Sequence, residues 1–157
     1  AWVLMPNHFH IYLITNPNSH MSDIWGKNRI SEFMRKLSTA YSKYFNLKYN
    51  RSGGLFEGPF KSVLISEDVQ AKYLFSYIHL NPIKLIDSKW KENGIKNRNK
   101  ALAFLSSYEL SSYLDYKVGS RIQGAILNRN AFPNYFPTAR DFDAEILDWL
   151  NYQEPEL

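Results

Sequence analysis

Two short segments of this chain hold residue types whose spacing can do chemistry. In His8-Phe9-His10, a strand conformation puts successive side chains on opposite faces, so His8 and His10 project from the same side. Two imidazoles so placed can share a divalent metal ion. In Tyr77-Ile78-His79-Leu80-Asn81-Pro82, a helix places Tyr77 and Asn81 four residues apart, one above the other, offering a phenol and an amide oxygen on one face. A phenol of reference pKa near ~10 is a weak nucleophile at neutral pH without assistance, and an ion held by two imidazoles and an amide oxygen would provide it. Together the segments describe a site that cuts a phosphodiester by tyrosine attack. Tyr73 lies one turn before Tyr77 and is the rival nucleophile, although a packed aromatic is the plainer role for it. His79 falls on another helix face and His20 in a loop, so neither is expected to be a ligand.

The elements that must position these groups are legible in outline. Trp2 to Met5 and His8 to Thr15 read as two strands separated by the turn-favouring pair Pro6-Asn7. Residues 16–20 form a loop. Apolar side chains at Ile30, Phe33, Met34, Leu37, Tyr41, Tyr44 and Phe45 have helical spacing with one buried face, and Asn46 is placed to close that helix in a left-handed conformation. Arg51 to Pro59 is a glycine-rich loop but no phosphate-binding P-loop, because no Gly-Lys-Ser/Thr follows. Phe60 to Ile65 reads as a strand and Ser66 as the N-cap of a helix through Val69, Tyr73, Leu74 and Tyr77. Pro82 disfavours helical geometry at Asn81 and so ends it. Residues 87–100 are polar and basic, either a linker or a nucleic-acid-contacting loop, and Ala101 to Leu105 can open a helix. After a turn at residues 132–137, residues 139–150 form an acidic amphipathic helix with Phe142, Ile146, Trp149 and Leu150 on one face.

On these residues the chain resembles the single-tyrosine HUH transposases, most closely the REP-associated tyrosine transposases. The His8-Phe9-His10 strand, the Tyr77-Ile78-His79-Leu80-Asn81-Pro82 helix, Tyr41 to Asn46 and Gly53 to Ser62 are similar to that family; Pro59 stands where members often carry arginine. The resemblance implies an α+β, ferredoxin-like HUH nuclease sandwich, an antiparallel sheet with helices on one face. The fold would lack its first strand and helix, since the chain opens just before the His-x-His strand, and would carry a small helical C-terminal extension. It divides the chain into a nuclease domain over residues 1–86, a basic linker with a short helical segment over 87–130, and an acidic helical extension over 131–157. It implies Tyr77 as nucleophile, His8, His10 and Asn81 as metal ligands, and Mg2+ or Mn2+ as the ion; ligand softness alone also admits zinc or nickel. The implied activity is cleavage and transfer of single-stranded, hairpin-bearing DNA through a 5′-phosphotyrosine. A nucleic-acid-binding module that has lost activity and a water-using metal-dependent nuclease are the alternatives.

Charge distribution agrees with a polyanionic partner. The net charge is +4, but residues 1–100 carry 15 lysines and arginines against 7 acids, whereas residues 101–157 carry 4 against 8. Arg35, Lys36, Lys43, Lys48, Arg51 and Lys61 are the expected DNA phosphate contacts. Aromatic residues make up 16% of the chain, enough for some to stack on unpaired bases. Cysteine is absent, which removes disulfides and thiolate zinc sites. No stretch approaches the ~20 apolar residues of a membrane span, so a cytoplasmic, nucleoid-associated monomer or homodimer is expected. A second copy or the chain's own core should cover the apolar stripe of the last helix.

Overall fold

The computed structural model describes residues 1–15, 29–119, 121–131 and 135–151. It is a mixed α/β chain, mostly helical, with one two-stranded antiparallel sheet among the described residues. The chain divides into two compact units. One comprises Ala1–Tyr12 with Ile65–Leu157; the other is Leu13–Leu64.

The first unit opens with strands β1 (Trp2–Leu4) and β2 (Phe9–Ile11), paired Trp2 to Ile11, Val3 to His10 and Leu4 to Phe9. Met5 N–H donates to the His8 carbonyl, so Pro6 and Asn7 form a two-residue hairpin loop. β2 stops at Ile11, four residues short of the expected end. On the outer edge of β1, Leu4 N–H donates to Leu110 O and Ser112 N–H to Trp2 O, with an antiparallel bridge between Val3 and Ser111. The sequence offered Phe60 to Ile65 as a further strand. These residues are in no regular element, and Val63 and Leu64 are 75% and 90% exposed. An apolar run becomes a strand only when an edge accepts it, and residues 110–112 occupy the outer edge of β1.

After the second unit's helix α1 (Arg29–Lys48), the first unit resumes with α2 (Asp68–Leu80). Its N-cap is Glu67 in an extended conformation, not Ser66, and no side chain caps it. Asp68 in the first turn complements the helix dipole and accepts a hydrogen bond from the Tyr135 hydroxyl at 2.6 Å, which pushes that phenol's pKa up to about 12. At the other end the chain corrects the expectation for Pro82. Asn81 keeps right-handed helical angles (φ −53°, ψ −38°) and opens a 3₁₀ turn, Asn81–Leu85. Proline is tolerated in the first turn of a new helical segment because its missing N–H would have no partner there.

The residues from 87 to 107 are largely helical. They form α3 (Trp90–Asn93) and α4 (Arg98–Ser107), with the Asn97 side chain accepting from Lys100 N–H as N-cap. Helix α5 (Tyr113–Lys117) follows, then α6 (Ala139–Asn151). Helix α6 begins with a capping box: Asp141 N–H donates to Thr138 Oγ1, and Thr138 N–H donates to the Asp141 carboxylate. Its Phe142, Ile146 and Leu150, at i, i+4 and i+8, are buried with Phe75, Leu80, Ile83, Trp90, Leu105 and Tyr113. The last helix is therefore a wall of the main core. Each such side chain contributes roughly 1.5–3 kcal/mol through burial.

A polar bridge pins the hairpin to α2. His79 is fully buried; its Nδ1–H donates to Phe75 O at 2.8 Å, leaving Nε2 to accept from Ser112 Oγ at 2.7 Å, while Ser112 Oγ accepts from Trp2 N–H at 3.0 Å. Burial holds the imidazole neutral, with its pKa pushed down to about 3.

In the second unit, α1 runs three residues beyond its expected end. Asn46 stays helical and Asn50 takes the left-handed position (φ 47°). Arg51 N–H bonds Asn46 O and Asn50 N–H bonds Leu47 O, the two hydrogen bonds of a Schellman closure. The Asn46 amide instead holds the glycine-rich loop, donating to Gly53 O at 2.9 Å.

Candidate active site

The two chemistry-bearing segments meet within the first unit. His10 pairs with buried Val3 across the hairpin, so its ring lies on the face turned toward Ile78 of α2, against which Val3 packs. The His8 and His10 ring centroids are 5.1 Å apart, nearly perpendicular, and the His10 and Tyr77 centroids are 6.1 Å apart. Two imidazoles ligating one ion at ~2.0–2.1 Å have ring centres roughly 4.5–5.2 Å apart, so the observed separation suits a shared ion. His8 is exposed and its Nδ1 lies 2.7 Å from the Asn7 side-chain oxygen. Burial, then the charges of His8, Lys84 and Lys91, push the His10 pKa down; that favours the neutral form a metal requires.

Asn81 is the third expected ligand. Its side chain is fully buried, and neither Oδ1 nor Nδ2 has a hydrogen-bond partner among the described residues. A stranded polar atom costs ~1–3 kcal/mol, so an amide with both ends unpaired marks a place where a ligand would be welcome. By chemistry alone two imidazoles and an amide oxygen suit a divalent ion; the residues brought together here are His8, His10 and Tyr77. Among the described residues no group of three His, Cys, Asp or Glu stands together. Neutralising charge would have to come from substrate.

Tyr77 is half-buried on α2, with the Lys91 ammonium 3.9 Å from its ring centroid. Tyr73 stacks nearly parallel to it at 6.2 Å and meets Trp149 of α6 edge-on at 5.0 Å. These side chains, with Leu80 and Trp90, line a cavity of about 320 Å³ that opens beside Tyr77. Tyr73 is 40% exposed and makes ring contacts with Tyr77 and Trp149. His79 acts as the hydrogen-bond bridge already described, and His20 lies outside the described residues. Sequence reasoning missed Lys84, Trp90 and Trp149 at this place. Lys91 belongs to the polar, basic stretch of residues 87–100.

The expected DNA contacts all belong to the second unit. Arg35 makes a two-pronged bond to Glu32, at 2.8 and 2.9 Å, and Lys36 reaches the same carboxylate at 3.4 Å. These partners hold the Glu32 carboxyl down at about 2. Lys36 and Lys43, seven residues apart, share a helix face. Lys48 lies on the aromatic side, near the rings of Tyr44 and Tyr49, and Arg51 lies over Phe45 while bonding Gly54 O. Lys43 and Lys61 are exposed. Tyr44 and Tyr49 are more than half exposed, so this unit presents flat rings between cations.

No protein-family model, curated protein or solved structure matches this chain. Among the described residues no helix is long and apolar enough to cross a membrane.

Proposed function

We propose that this chain is a DNA-strand transferase of the single-tyrosine HUH type, with Tyr77 as nucleophile, and that its hairpin and α2 belong to a ferredoxin-like HUH sandwich. The observation that carries this is the approach of His10 to Tyr77 at 6.1 Å, with His8 alongside, on elements far apart in the chain. A helix phenol beside a strand His pair is an uncommon association for packing alone, because polar rings at half-buried positions bring little apolar burial. The substrate is single-stranded DNA; a preference for hairpins rests on the resemblance alone.

His8, His10 and Asn81 would hold the divalent ion, Mg2+ or Mn2+, whose chemistry there is to polarise a non-bridging phosphate oxygen. The remaining work falls to this chain. Lys84 and Lys91 surround His10 and Tyr77 with positive charge that draws in a phosphodiester. The Tyr77 oxygen attacks phosphorus and loses its proton to solvent. The bond from phosphorus to O3′ breaks, and that oxygen takes up a proton. The products are a 5′-phosphotyrosine and a free 3′-hydroxyl, with no change of oxidation state. Attack by a 3′-hydroxyl reverses the step and rejoins strands without a nucleotide cofactor. The second unit supplies phosphate contacts through Lys36, Lys43, Lys48 and Lys61, and stacking surfaces through Tyr44 and Tyr49.

The test is covalent trapping. Hairpin-bearing single-stranded oligonucleotides with Mg2+ or Mn2+ should give a protein–DNA band on a denaturing gel. The band should persist in Tyr73→Phe and vanish in Tyr77→Phe. Cutting that survives Tyr77→Phe selects a water-using nuclease. Binding without cutting, across a broad set of oligonucleotides, selects an inactive binding module.

A further inference from the structure

We infer that the aromatic cavity beside Tyr77 is a base pocket that takes one unpaired nucleobase next to the bond being cut, with the adjoining phosphate on Lys91. This deepens the strand-transfer reading and rests on it for the position of the bond.

Three observations combine. First, the walls are flat rings at more than one orientation: Tyr73 lies near parallel to Tyr77 (11°) and is met by Trp149 at 60°. A planar ligand entering here finds both a stacking face and an edge. Second, Trp90 lines the same cavity, is 8% exposed, and buries its indole N–H with no acceptor among the described residues. An indole N–H can only donate, so a ligand that satisfies it must bring an acceptor, such as a base carbonyl or ring nitrogen. Third, Lys91 stands at the cavity beside Tyr77, 3.9 Å from its ring, where it can meet a phosphate attached to the bound base. The volume of about 320 Å³ is at the small end for ligand pockets and suits one nucleoside, not a peptide segment or a duplex. An aliphatic ligand would leave the indole N–H stranded, and a free anion would have no use for three aromatic walls. A nucleotide within a strand uses all three features.

The pocket would also serve the chemistry. Holding a base out of the strand turns the neighbouring phosphate toward Tyr77, and an extruded base comes most cheaply from unpaired DNA. That gives the protein a physical means of preferring single strands over duplex that does not depend on reading sequence.

The experiment uses the full chain and two probes of equal charge: an octathymidylate, and an octamer with the same phosphates in which every base is replaced by an abasic tetrahydrofuran. Wild type should bind the thymidylate roughly 5- to 150-fold more tightly, the range expected for one stacked base. Trp149→Ala should lose most of that preference and Trp149→Phe should keep it, both checked for native circular dichroism. Lys91→Ala should weaken both probes equally. Because Tyr44 and Tyr49 can also stack on bases, an octamer carrying a single 5-iodouracil is irradiated and the attachment site is mapped by mass spectrometry. Attachment at Tyr73, Tyr77, Trp90 or Trp149 supports the pocket. Equal affinity for both probes, an undiminished base preference in Trp149→Ala, or attachment confined to the second unit overturns it. A pocket that passes these tests in a protein giving no Tyr77-linked DNA would instead retire the cleavage reading and leave the base pocket standing.

Discussion

Part of the effect of mild acid on this protein should act through one residue, His79. The imidazole is fully buried among Phe75, Tyr116 and Phe142, with ring centroids 4.7, 5.4 and 5.2 Å away, and both nitrogens are engaged. Its folded-state pKa is about 3 against an ordinary 6.5. Below pH 6.5 the unfolded chain takes up a proton that the folded chain refuses, so stability is complete above ~6.5 and falls as pH drops toward 3. The slope approaches ~1.4 kcal/mol per pH unit, which amounts to about 2 kcal/mol by pH 5. The control is His79→Phe. That variant loses the bond from Ser112 Oγ, worth about 1 kcal/mol, but Ser112 retains Trp2 O as an acceptor at 3.2 Å and a phenyl ring suits the aromatic surroundings. Urea unfolding of both proteins between pH 7.5 and 5 measures the difference. Wild type should lose about 2 kcal/mol more than the variant over that range. Parallel pH profiles would refute the argument. Because His79 links α2 to the hairpin through Ser112, cleavage should fall over the same range in wild type more steeply than in the variant.

Removing Arg121 strands Asp115, which is fully buried and receives two bonds from the guanidinium at 2.8 and 2.9 Å; Arg121→Ala should cost about 3–5 kcal/mol in denaturant unfolding. DNA affinity should drop steeply between ~50 and ~200 mM salt, and Lys43→Gln with Lys61→Gln should flatten the log–log slope by about 1.4, or ~0.7 for each single-strand phosphate no longer neutralised. Insensitivity of that slope to both substitutions would remove them from the interface.

The face shared by His8 and His10 was legible because period-two spacing is a local property that tertiary structure seldom reverses. The stripe Phe142, Ile146 and Leu150 was legible for the same reason. What the spacing could not give is which distant segment fills which gap. Trp90 and Trp149 reach the Tyr77 cavity from α3 and α6, 13 and 72 residues beyond it, with no local pattern to announce them. Ser111 and Ser112 have no strand signature, yet they complete the outer edge of β1, whereas Phe60 to Ile65, read as a strand, is in no regular element. Asn46 and Asn50 illustrate a subtler limit. Both can adopt the left-handed turn; Asn50 takes it, while the Asn46 side chain donates to Gly53 O.

The bond between Trp2 N–H and Ser112 Oγ spans 110 residues. Closing a loop of that length costs about 4 kcal/mol of chain entropy before any native interaction offsets it, so this join belongs among the late events of folding. At ribosomal rates of ~5–20 residues per second, the hairpin carrying His8 and His10 waits roughly 5–20 s for its outer partner to be made. During that interval Tyr77 emerges on a helix whose tether to the hairpin does not yet exist. The strand-cutting centre proposed for this chain would then be silent in the nascent chain and come into register only once the segment around Ser112 has joined it.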